Sequence, residues 1–203
     1  MAEPAPIDLE EPTLTLDLER GLVALDESER LVVPVAPLLA LAEASGAEAA
    51  RAFGAAIGAS LATRAATRLG EARGASVERA LEVLAGEVAL VGLGALSIER
   101  WGKAVVLVLE PCALSTARAG DHTSGSARVL LEACFEAALV GAFGSEVRSL
   151  VLSDDASRVR LLVTSQAARD RARALLAHGA AWQDVLVTLH TSRGEASTEE
   201  ARS

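Results

Sequence analysis

The order of apolar and polar positions divides the chain into stretches with two different periods. Leu14, Leu16 and Leu18 alternate with Thr15 and Asp17, the two-residue period of a half-buried strand. Gly21 to Asp26 and Arg30 to Val35 extend that pattern around a polar turn at Asp26 to Glu29, so two or three short strands are predicted. Pro34 and Pro37 close the segment, because proline cannot donate to a central ladder yet fits the first turn of a helix. Ser45 and Gly46 separate a short helix, Leu38 to Ala44, from a long one, Ala47 to Glu71. On the long helix Phe53, Ile57, Leu61, Ala65 and Leu69 recur every four residues and make one apolar stripe, with Arg64, Arg68 and Glu71 away from it. Gly70, Gly74 and Ser76 then supply a helix stop, a break and an N-cap for a second helix, where Val77, Leu81, Leu84 and Val88 share a face.

Beyond that helix the strand pattern returns. Ala95 to Arg100 and Lys103 to Glu110, joined at Trp101-Gly102, read as a tight hairpin. Its second strand is apolar on both faces and is expected at the centre of the sheet. Pro111 ends it, and a loop of small and polar residues, Ala113 to Gly125, leads to Ser124 or Ser126 as the cap of a third helix, Ala127 to Phe143. That helix is apolar almost all round. Arg128, Glu132 and Glu136 fall on one line, which predicts a single solvated or ion-paired stripe. Val147 to Ser153 and Arg158 to Thr164 make a second hairpin, followed by helices over Ala167 to His178 and Ala181 to His190. The sum is an α/β chain of the α+β kind, an antiparallel sheet built from hairpins and packed against several helices. An acidic tail over 1–12, one domain over 13–192 and a fraying tail over 193–203 are the expected boundaries.

Composition and charge narrow the function. The chain has 203 residues, of which 51% are apolar, enough for one good core. Its formal charge of −9 is concentrated at one end: Glu3, Asp8, Glu10, Glu11, Asp17, Glu19, Asp26, Glu27 and Glu29 face only Arg20 and Arg30 within residues 1–30. The nearly neutral remainder offers no basic face for phosphates, which sets nucleic-acid binding aside. No basic stretch followed by an apolar one opens the chain, and the apolar run Ala104 to Thr116 is broken by Glu110 and Pro111. It also falls short of the roughly 20 residues a membrane span needs. A cytoplasmic protein is expected.

Catalytic vocabulary is sparse. Asp121 and His122, with Thr123 and Ser124 beside them, bring an acid, a base and hydroxyls together, but a triad needs such groups to converge from rigid elements. A helix-capping loop is the reading preferred there. Cys112, His122 and Cys134 lack the close spacing of a zinc site, so neither metal nor cofactor is expected, and two thiols do not make a disulfide framework. Gly92-Leu93-Gly94 lies between helix and strand and reads as a turn rather than a phosphate loop, and Asp154-Asp155 reads as a pair of turn formers. Three residues point to contact surfaces. Gly54 and Gly58 form a small-x-x-x-small pair that lets another helix approach closely, within the chain or across a dimer. Trp101 stands at a hairpin tip, where it marks a contact unless a tail or loop covers it.

The glycine-bearing helix Phe53-Gly54-Ala55-Ala56-Ile57-Gly58, the hairpin Gly94 to Glu110, the helix from Ala133-Cys134-Phe135 to Gly141 and the closing hairpin together resemble the 4-vinyl reductase domain family. That small-molecule-binding fold is related to the small core subunits of the TRAPP vesicle-tethering complex. The likeness spans Ala47 to Ser165 and lies in pattern and spacing. It departs at the closing hairpin, where the family's C-x-x-x-G-x-x-x-C-x-F places its cysteines at Leu152 and Arg160, its glycine at Ala156 and its phenylalanine at Leu162. Any metal or thiol role of that pair is therefore not carried over. The resemblance implies a non-enzymatic bacterial module, a homodimer that holds a small apolar ligand between helices and sheet or serves as an assembly partner. Phe53, Ile57, Leu61, Cys134 and Phe135 are the ligand-facing candidates. With no helix-turn-helix or ATPase motif, it is expected to act through a regulatory protein partner. The competing readings are a small enzyme using Asp121, His122 or Cys112, and a scaffold without a ligand.

Overall fold

The computed structural model describes residues 14–17, 19, 22–25, 28–30, 33–70, 76–102, 104–116, 125–144, 146–155 and 157–200. Three short strands come first: β1 (Leu14–Asp17), β2 (Leu22–Leu25) and β3 (Ser28–Arg30), which pair antiparallel in sequence order as a small sheet of their own. The predicted alternation holds for β1 and β2, with Leu14 opposite Leu25 and Leu16 opposite Val23. Strand β3, however, lies at Ser28–Arg30, largely within the expected polar turn rather than over Arg30 to Val35, and the helix that follows already begins at Val35.

Helix α1 (Val35–Leu69) follows and is interrupted where the sequence predicts a break. Gly46 adopts φ 83°, ψ 171°, an extended left-handed geometry that L-residues avoid, and the helical path changes direction there. Ser76 caps α2 (Val77–Leu90) by accepting from the Arg79 N–H at 3.2 Å. The main sheet is assembled from two hairpins, β4 (Leu96–Trp101) with β5 (Ala104–Leu109), and β6 (Arg148–Asp154) with β7 (Val159–Thr164). Its order is β4-β5-β7-β6, antiparallel throughout. The hairpins therefore meet through their second strands. Between Val151 and Ser153 the β6 register shifts by one residue, a bulge that sets Ser153 rather than Leu152 opposite Arg160.

Both faces of this sheet are covered, which is why β5 reads as continuously apolar. Leu107, Leu109, Val151, Val159 and Leu161 face one layer, formed by α1, α2, the short α3 (Ala113–Thr116) and α4 (Gly125–Phe143). Val106, Val108, Leu150, Leu152 and Leu162 face the other, formed by α5 (Gln166–Ala177) and α6 (Trp182–Glu200). The backbone of α6 stays helical to Glu200, past Arg193, where the sequence predicts fraying. The connection from α2 to β4 is tight, and at Gly94 (φ 139°) a Cβ would lie 1.9 Å from the Pro111 carbonyl oxygen.

The ionic stripe of α4 is ion-paired. Arg128 donates from Nε (2.9 Å) and Nη2 (2.6 Å) to the Asp154 carboxylate at the end of β6. Asp154 is consequently a buried acceptor and not a turn former. The turn belongs to Asp155, whose N–H donates to the Arg158 carbonyl at 2.8 Å. Glu132 and Glu136 reach the free edge of β6. Glu132 Oε1 accepts from the Val151 N–H at 3.0 Å and Glu136 Oε2 from the Ser149 N–H at 3.4 Å. Arg169 and Arg173 of α5 lie 3.4 and 3.3 Å from Glu132 Oε2, and Arg148 donates to Glu136 at 2.8 Å. A strand edge that would expose N–H groups is thus closed by carboxylates.

Candidate ligand-binding layer

Four of the five ligand-facing candidates, Ile57, Leu61, Cys134 and Phe135, sit where α1 crosses α4 above the sheet. That crossing is close because two glycines face carbonyls: a Cβ on Gly54 would lie 2.3 Å from the Leu130 oxygen, and one on Gly58 would lie 2.0 Å from the Cys134 oxygen. Gly141 contributes the same economy from α4, its Cβ position being 2.6 Å from that of Ala62. Gly54 and Gly58 therefore make their close approach to a helix of the same chain.

Leu61, Cys134 and Phe135 are brought together in the layer, each at most 1% exposed, with Ile57 packed against them. Phe53 is not. It is 44% exposed, on the outer side of α1. The reason is geometric: residues four apart on a helix advance about 40° beyond a full turn, so a stripe at strict four-residue spacing drifts around the axis. By Phe53 the drift from Leu61 has carried the side chain out of the layer. Its place is taken by residues the four-residue stripe does not include: Leu39 of α1, Leu84 and Val88 of α2, Leu130 and Leu131 of α4 and Leu114 of α3. The signal for Leu130 and Leu131 was the all-round apolarity of their helix.

The layer is electrically quiet. Burial pushes the Cys134 thiol up to about 12, and it raises that of Cys112 as well, partly offset by hydrogen bonds to the backbone of Ser115 and Leu114. Both cysteines are buried and their thiols stay protonated at neutral pH, so each contributes an uncharged group to the layer. Asp121 and His122 lie outside the described residues. Among the described residues no three His, Cys, Asp or Glu side chains converge as a metal site. No described helix is long and apolar enough to cross a membrane.

A buried ion-pair clamp borders the layer. Glu87 of α2, fully buried, accepts from Arg64 Nε at 2.5 Å and from Arg68, tying α2 to α1. Sequence reading passed over this clamp, whose signal is an acid between Leu84 and Val88 on an apolar face, matched by two arginines four residues apart on the preceding helix. On the outer side of the α1–α4 pair runs an open groove of about 760 Å³, lined by Ala59, Ala62, Thr63, Ala66, Thr67, Ala137, Val140 and Gly141. The hydroxyls of Thr63 and Thr67 donate back to their own helix, to the Ala59 and Thr63 carbonyls at 3.0 Å each.

Trp101, at the β4–β5 tip, is covered in part by its own chain. It meets Trp182 of α6 edge-on at 5.3 Å between ring centroids, donates from Nε1 to Glu99 Oε2 at 3.2 Å and stays 38% exposed.

No family model matches the chain, and no curated protein matches it significantly. Among solved structures, the chain is similar to the phenol-responsive sensory domain of the transcription activator PoxR, crystallised with phenol. The two share 14% sequence identity over 81% of this chain and 90% of that one, with a TM-score of 0.60. The likeness establishes a shared fold.

Proposed function

We propose that the chain is a small-molecule-binding module that takes a small apolar or aromatic ligand in the layer between the α1–α4 pair and the sheet. The observation that carries this reading is the fold shared with a phenol-responsive domain along most of both chains. The chemistry of the layer supports it: Ile57, Leu61, Phe135 and the uncharged Cys134 offer the apolar lining common in small-molecule sites. Resemblance to the 4-vinyl reductase domains points the same way, and a version without the family's cysteine pair needs no metal. The module is non-enzymatic, cytoplasmic and homodimeric, and it acts through a regulatory protein partner.

Native mass spectrometry of the purified chain, followed by calorimetric titration with phenol, tests this. The expected result is a dimer that retains a small organic ligand or binds phenol saturably, with binding lost in Cys134→Phe, which fills the layer. A chain that neither retains nor takes up any small molecule would leave the scaffold reading in its place.

A further inference from the structure

Strand β7 presents alternate side chains to opposite faces of the sheet, as the strand period requires. Val159 and Leu161, fully buried, belong to the candidate ligand layer. Arg160, between them, points to the other face, where its guanidinium carbon lies 4.8 Å from the ring centroid of Trp182. Arg160 is only 9% exposed and incompletely satisfied. Its Nη1 stands 3.3 Å from Asp155 Oδ2 and 3.4 Å from Ser153 Oγ, while its Nε has no hydrogen-bond partner, with Glu99 Oε2 3.8 Å away.

Trp182 is the first residue of α6, so the stack fixes where that helix starts. Its ring also meets Trp101, whose indole N–H is held by the same Glu99 carboxylate. Two turns further along α6, the His190 ring packs on the hairpin tip, where a Cβ on Gly102 would lie 2.9 Å from His190 Nδ1 and Cε1. A buried donor without a partner is a costly arrangement that a small displacement can relieve or worsen. A one-strand step therefore separates the apolar layer from the fastening of α6.

We propose that Arg160, Trp182 and Trp101 form a latch that holds α6 on the sheet, and that β7 couples the latch to occupancy of the apolar layer. This rests on the reading of that layer as a ligand site. Ligand contact with Val159 and Leu161 shifts β7 and changes the seating of Arg160 on Trp182, so α6 is the element whose order the ligand sets. The chain supplies its own reporter: Trp101 and Trp182 are its two tryptophans, and it has no tyrosine. Intrinsic fluorescence thus reads the latch alone.

The test combines tryptophan emission with amide hydrogen exchange on the full chain, free and with phenol, in wild type, Arg160→Met, Leu161→Val and Leu131→Val. Exchange in α6 is expected to rise at least tenfold in Arg160→Met while β5 and β7 keep their protection. Leu161→Val is expected to shift the emission, and Leu131→Val, which alters the same layer from α4, is not. Exchange in α6 within twofold of wild type in Arg160→Met would overturn the latch, and equal emission in Leu161→Val and Leu131→Val would overturn the coupling. If phenol binds by calorimetry but moves neither emission nor α6 exchange, the inference falls and the binding reading stands. If phenol does not bind yet Arg160→Met and Leu161→Val behave as expected, the latch and its coupling stand and the proposed ligand class falls.

Discussion

At Gly58 a single added methyl group would meet a backbone oxygen at 2.0 Å, and neither partner there is the end of a flexible side chain. Gly58→Ala is therefore expected to lower unfolding free energy by about 1–3 kcal/mol, the usual cost of overpacking. Gly86, on the open face of α2 with nothing within 4 Å of its Cβ position, makes the contrast. Gly86→Ala should stabilise by about 0.5–1 kcal/mol, because the unfolded chain loses freedom and the helix loses nothing. Urea denaturation of the two variants checks both signs. Cys134 makes a prediction in pH. Its folded value is pushed from 9.0 to about 12 by burial, so between those values the unfolded chain gives up the proton and the folded chain keeps it. The stabilisation is complete below pH 9.0 and is lost as pH rises toward 12. Wild type should lose about 1.4 kcal/mol per pH unit more steeply than Cys134→Ala in that window. Parallel curves would show that the thiol is not desolvated.

Among the elements, α4 carries the most information per residue. Its line of Arg128, Glu132 and Glu136 was legible as one charged stripe, solvated or ion-paired, from four-residue spacing on an otherwise apolar helix, and the structure pairs it. The partners were not legible, since Asp154, Arg148, Arg169 and Arg173 come from elements whose approach depends on the sheet order. Removing Glu132 strips the Val151 N–H of its acceptor and leaves the buried Arg169 short of charge. Glu132→Ala is expected to cost about 3 kcal/mol, in line with breaking a buried ion pair, and to raise light scattering as the β6 edge opens. Glu132→Gln, which keeps an acceptor for Val151, should lose less and stay monodisperse relative to Glu132→Ala. Equal losses in the two variants would remove the edge-capping role and leave only the charge.

For the molecule as a whole, hairpins and amphipathic helices were readable from period alone, and so was the central place of β5. Burial of the sheet on both faces makes that strand apolar at every position. The layer's membership was only half legible, because a four-residue stripe follows Ile57 and Leu61 into the core but carries Phe53 out of it. Residues 1–12 hold no apolar period, so deleting them is expected to leave Tm unchanged in a thermal melt, and a fall of several degrees would join them to the folded unit. The capped edge of β6 has one more consequence, which concerns valence. Glu132 and Glu136 occupy the N–H groups on that side, whereas β4, at the opposite end of the sheet order, pairs only with β5 among the described strands. A sheet with a single vacant side can be extended once and no further. Strand addition to the four-stranded sheet is thereby expected to be a terminating event that yields a closed pair, because the capped β6 side denies that sheet the second open edge an open-ended fibre needs.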